Sequence, residues 1–113
     1  MARPIALITG ASSGIGELIA LRLASSGHDL VLVARRGDEL ARVAALAAAA
    51  GAASETIVAD LSQAADVAKV EARILDSARP IEILVNNAGY GRFGKITELD
   101  GAGEANEIAV NVT

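Results

Sequence analysis

Near the start of the chain an apolar run, Ile5-Ala6-Leu7-Ile8-Thr9, is closed by Gly10 and followed by Ala11-Ser12-Ser13-Gly14-Ile15-Gly16 and a helical stretch. Such a run, bounded by a glycine turn, is the pattern of a strand buried on both faces, as in a parallel sheet. Parallel strands need crossover connections, so this segment steers the chain away from hairpin folds and helix bundles. The helix runs to about Ser26, where Gly27 stops it. Ile15, Leu18, Ile19 and Leu23 recur at three- and four-residue spacing and are predicted to form its buried stripe.

The rest of the chain repeats the alternation. Leu30–Val33 is the second strand, Asp38 to about Ala50 the second helix, and Thr56–Ala59 the third strand. A third helix spans about Gln63 to Ala78, with Val67, Val70 and Ile74 on one side, and Ile81–Val85 is the fourth strand. A glycine-rich loop from Tyr90 to Gly94 leads to a last helical stretch from about Gly103. Strands alternating with helices in this way read as successive right-handed βαβ units, hence an α/β fold with a doubly wound parallel sheet in three α/β/α layers.

Composition removes the competing classes. The chain has no Cys, which excludes a disulfide framework and thiolate metal sites, and no metal site is expected. A net charge of −4 argues against a nucleic-acid partner, because phosphate contacts need a basic face. Alanine supplies 25 of the 113 residues, so the core must be filled by Ile, Leu and Val. The longest helical apolar run, Val43 to Ala50, falls far short of the roughly 20 residues of a membrane span. Ile5–Thr9 is too short for a signal peptide, and a cytoplasmic protein with no membrane partner is the expectation.

Gly10, Gly14 and Gly16 lie between a strand and a helix. The first lets the chain turn sharply, the second lets the backbone approach a pyrophosphate, and the third lets the helix pack closely. Free N–H groups at the helix start then face the anion, with Ser12 and Ser13 adding hydroxyls. No Gly-Lys-Ser/Thr follows, so this is not a nucleoside-triphosphatase loop, and a Rossmann-type dinucleotide fold is the reading.

In such folds an acidic residue after the second strand bonds the ribose hydroxyls of NAD. Here Ala34 stands there, followed by Arg35 and Arg36. Two guanidinium groups suit a 2′-phosphate, so NADP(H) is expected over NAD(H), with Arg35 the principal contact and Arg36 stacking on adenine or facing water. The absent acid also disfavours a methyl-transfer enzyme with a similar glycine loop.

Thr9-Gly10-Ala11-Ser12-Ser13-Gly14-Ile15-Gly16 resembles the Thr-Gly-x-x-x-Gly-x-Gly cofactor motif of the short-chain dehydrogenase/reductase family. Asp60-Leu61 resembles its adenine contact after the third strand, and Asn86-Asn87-Ala88-Gly89 its fourth-strand motif. Asn111, within Val110-Asn111-Val112, resembles the asparagine of its active-site tetrad, which the family carries on a kinked helix. The resemblance implies residues 1–113 form the N-terminal, cofactor-binding half only of an oxidoreductase, ending inside the helix with Asn111. It implies hydride transfer between a nicotinamide and a small-molecule carbonyl or secondary alcohol, with Asn111 placing a proton-relay water. Read from the residues alone, Asp60 also suits a helix cap, and Asn86 and Asn87 suit either a structural clamp or a cofactor contact.

The family's catalytic Ser and Tyr-x-x-x-Lys have no counterpart in these residues. Tyr90 is the only tyrosine, and Lys95 falls one position late. The chain alone is therefore expected to be inactive, and a non-catalytic nucleotide-binding module is the alternative. With the fourth strand expected as an exposed edge, self-association or homo-oligomerisation is the further expectation.

Overall fold

The computed structural model describes residues 3–12 and 14–87, and the backbone of residues 108–111. Strand β1 (Ile5–Thr9) leads through the glycine turn into helix α1 (Gly14–Ser25). Strand β2 (Asp29–Ala34), helix α2 (Gly37–Ala49), strand β3 (Ser54–Val58), helix α3 (Ala64–Ile74) and strand β4 (Ile81–Asn86) follow. A last strand, β5, covers Ile108–Asn111. All pairings are parallel, in the order β3-β2-β1-β4-β5.

The chain leaves β1 outward through β2 to β3, then crosses back to β4 on the other side, which makes the sheet doubly wound. Its two faces hold separate cores. Helices α1 and α2 cover Ala6, Ile8, Leu30 and Leu32. Helix α3 lays Val67, Val70 and Ile74 on Leu7, Val31, Val33 and Leu84. No helix among the described residues is long and apolar enough to cross a membrane.

Register places the site. Thr9 is level with Val33 on one side and Asn86 on the other, and Asn86 is level with Asn111. The carboxyl ends of four strands therefore finish in one row, where helix N-termini also begin.

Three expectations are corrected. The buried stripe of α1 is Gly16, Ala20 and Ala24, while Ile15 and Leu18 are 58% and 56% exposed. Residues without bulk let the helix lie close to the sheet, and that contact outweighs burying two larger side chains. Helix α3 stops at Ile74 rather than Ala78, because the Asp76 carboxylate accepts the Ala78 N–H at 3.0 Å and builds a turn ahead of Pro80. Ile108–Asn111 is a strand, not part of a helix carrying Asn111, and β4 is consequently not an edge. The unpaired backbone groups of β4 demand partners, and a segment with β-branched Ile108 and Val110 supplies them.

Candidate nucleotide site

The turn after β1 is built on glycine for two separate reasons. Gly10 and Gly14 hold φ of 64° and 54°, a conformation costly for any residue with a Cβ. Gly16 is limited by space instead. A Cβ there would run into the Gly10 carbonyl oxygen and lie 2.6 Å from the Asn87 amide nitrogen. The first turn of α1 thus rests against the strand turn and the end of β4, a tighter and more local contact than packing on the sheet.

Polar groups lock that contact. The Asn87 N–H donates to Thr9 Oγ1 at 2.9 Å, and Asn87 Nδ2 donates to the Gly10 carbonyl at 3.3 Å. The Thr9 hydroxyl, fully buried, lies 3.2 Å from Asn86 Oδ1 and 3.4 Å from the Val85 carbonyl. On the other flank the Ala11 N–H donates to the Val33 carbonyl at 3.1 Å, tying the turn to β2. Thr9, Asn86 and Asn87 therefore form a clamp across β1 and β4.

Above this row opens a cleft of about 430 Å³. Gly10, Ser12 and Asn87 wall one end. Arg35 and Arg36 rise from the end of β2, and Asp60 and Leu61 close the far end after β3. Asn87 is thus both clamp and lining residue. Thr9 and Gly16 lie beneath the lining, and Gly14 and Ile15 stand at the exposed start of α1. Ser13, Ala88 and Gly89 lie outside the described residues, and Asn111 is placed only by its backbone, level with Asn86.

Asp60 shapes its end of the cleft. Its Oδ1 accepts from the Ser62 hydroxyl at 2.7 Å and the Ser62 N–H at 3.0 Å, while its own N–H donates to Asp66 Oδ2 at 2.7 Å. The Ser62 bonds hold its carboxyl below the usual carboxylate range, and the nearby Arg35 charge adds to them. Asp60 therefore organises the turn before α3, whose cap position is Gln63.

Glu39 also lines the cleft, and sequence reasoning missed it. It stands one turn before Arg42, which bonds both Glu39 and Glu17 of α1. The Glu39–Arg42 spacing of three residues was a signal of a helix-surface pair. The link to Glu17, 25 positions away, had no local signature. Those bonds hold the Glu17 carboxyl below its usual range, and they raise Arg42 above its own already high value.

Among the described residues neither Arg35 nor Arg36 makes an ion pair, and both are exposed at the mouth of the cleft. Glycine turn, helix start and free guanidinium groups together suit a phosphorylated nucleotide.

Comparison with known proteins agrees with the geometry. The family model for short chain dehydrogenase matches residues 4–113. Sepiapterin reductase of Chlorobaculum tepidum is 41% identical over 102 residues, covering 84% of this chain and 42% of the relative. A solved short-chain dehydrogenase from Sphingobium yanoikuyae, in complex with NADPH, is 55% identical with a TM-score of 0.71, covering 76% of this chain and 34% of that one. L-sorbose reductase from Gluconobacter frateurii, complexed with NADPH and L-sorbose, is 37% identical with a TM-score of 0.70, covering 80% and 35%. The chain spans less than half the length of these relatives. From the glycine turn to the matched strands, this chain belongs to the short-chain dehydrogenase/reductase family.

Proposed function

We propose that this chain is the cofactor-binding part of an NADP(H)-dependent oxidoreductase acting on a small-molecule carbonyl or secondary alcohol. The observation that carries the reading is the end of β2, where Ala34 replaces an acid and two unpaired arginines follow at the cleft mouth. Two structural neighbours solved with NADPH support it.

In this reading the glycine turn and the start of α1, with Ser12, Ser13, Gly14 and Ile15, receive the pyrophosphate. Arg35 bonds the 2′-phosphate and Arg36 covers the adenine or faces water. Asp60 and Leu61 border the adenine, and Asn87, Ala88 and Gly89 are assigned cofactor contacts. The bound cofactor supplies or accepts the hydride; these residues bind it, orient it and hold its phosphates. Asn111, whose backbone ends β5 beside Asn86, is assigned the water of the proton relay.

A hydrogen bond to a charged group contributes about 1.5–3 kcal/mol, roughly 10- to 150-fold in affinity. Fluorescence titration is expected to show NADPH binding at least tenfold tighter than NADH, about one such bond. Arg35→Ala is expected to remove that preference while leaving NADH affinity nearly unchanged. Equal affinities for the two nucleotides, unmoved by the substitution, overturn the assignment.

A second reading has its own observation: residues 1–113 contain no Tyr-x-x-x-Lys. These residues alone are then a binding module that holds NADP(H) without turnover, and a cytoplasmic protein fits either reading. Both readings have these residues bind NADPH without oxidising it, so the coding sequence decides between them. A Tyr-x-x-x-Lys encoded after residue 113 supports the oxidoreductase, and its absence from the gene product supports the module.

A further inference from the structure

The first turn of α2 carries Asp38 and Glu39, and Glu39 borders the same cleft as Arg35 and Arg36. A carboxylate in that place repels a phosphate dianion, whereas it accepts readily from a ribose hydroxyl. What restrains Glu39 therefore bears on which ribose the cleft takes.

The restraint is Arg42. Its Nε donates to Glu39 Oε1 at 3.0 Å. Its two terminal nitrogens donate to Glu17 at 2.8 and 3.2 Å, a forked contact that a lysine does not reproduce. One of them also reaches the Ser12 carbonyl at 3.4 Å. A single side chain thus joins the carboxylate at the cleft wall, the first turn of α1 and the glycine turn.

We propose that Arg42 is a positioning residue that sets ribose specificity, by holding the Glu39 carboxylate away from the place a 2′-phosphate occupies. Arg42 is not among the residues that line the cleft and acts through Glu39. Without it, the Glu39 carboxylate is free to swing further into the cleft it already borders, opposes the charge of Arg35 and accepts from an unphosphorylated ribose. This inference rests on the NADP(H) reading given above.

The test compares 2′,5′-ADP with 5′-AMP by titration calorimetry on the full chain, reading the ratio of the two affinities. Both ligands sample the same folded population, so a loss of stability leaves the ratio where it was. Arg42→Ala is expected to lower the preference for 2′,5′-ADP about fivefold, the size of one uncompensated charge near the surface. Adding Glu39→Gln to that variant is expected to restore the ratio to within about twofold of the parent. An unchanged ratio in Arg42→Ala, or a double variant as impaired as the single, overturns the proposal. A parent chain with no preference for 2′,5′-ADP brings down the NADP(H) reading itself, and this inference with it.

Discussion

The arginines flanking the strands at the two ends of the sheet, Arg3, Arg73 and Arg79 at one and Arg35 and Arg36 at the other, are used in opposite ways. At the amino-terminal end of the strands, Arg3 pairs with Asp29 at 3.0 Å and donates to the Ala24 and His28 carbonyls, both at 2.9 Å. Arg73, buried, pairs with Glu55 at 3.1 Å and donates to the Arg79 carbonyl, while Arg79 itself reaches Glu55 and Asp76. At the carboxyl end Arg35 and Arg36 stand exposed without an ion pair among the described residues. The arginines at the amino-terminal end close turns, and at the carboxyl end Arg42 likewise ties Glu39 to Glu17, whereas Arg35 and Arg36 close none. Residue type alone does not distinguish these uses; the presence of an internal partner does.

The contrast is sharpest at Gly16, where the largest effect is expected. Gly16→Ala drives a Cβ into backbone at Gly10, which cannot move without opening the turn. Overpacking of this kind costs about 1–3 kcal/mol, and the displaced turn should lose NADPH binding by about a hundredfold. Calorimetric melting and nucleotide titration on the same sample check both numbers. Retained affinity would show that the turn tolerates a wider opening than its contacts imply.

Arg73→Met attacks the opposite end. It leaves Glu55 without its buried partner and should cost about 2–3 kcal/mol in urea unfolding, with NADPH affinity unchanged once the chain is folded. A fall in affinity of the folded variant would mean that the two ends are mechanically coupled.

The smallest effect is one of acidity, and it touches both ends. Glu17 and Asp60 at the ligand end and Asp76 at the other all have carboxyls held below their usual range. Arg42 is the principal cause for Glu17, the Ser62 hydroxyl for Asp60 and the Ala78 N–H for Asp76. Each is more acidic folded than unfolded, so its contribution is present above the unfolded value and disappears as pH falls toward the folded one. Stability should stay level from pH 7 to about 5 and decline below that. Asp76→Asn should flatten part of the decline without moving the acid sensitivity of nucleotide binding, whereas Asp60→Asn should alter both. Urea unfolding and titration between pH 7 and 4 measure the difference.

Much of this was legible from the chain alone, for stated reasons. Apolar runs ended by turns marked β1 and β2, and β4 despite its exposed Glu82, because strands buried on both faces leave little room for alternation. Gly10 and the arginines after β2, singled out in the sequence, line the cleft, because a sharp turn and an exposed pair of charges are local properties. What sequence reading missed was decided at a distance. Ile15 and Leu18 match a helical stripe, but closeness to the sheet selected Gly16, Ala20 and Ala24. The residues around Asn111 carry helix-forming Ala and Glu, yet the open side of β4 took Ile108–Asn111 as a strand. The Arg42 link to Glu17 and the Asn87 link to Gly10 join residues that no short window contains.

That last link bears on the order in which the molecule becomes competent. The glycine turn is synthesised about 70 residues before the residue that completes it: its final wall and two of its hydrogen bonds come from Asn87. Until residue 87 has been synthesised and β4 has docked beside β1, the turn has no rigid template. Nucleotide affinity in this chain should therefore appear late and abruptly during synthesis, as a report that the longest-range strand pairing of the first four strands has closed.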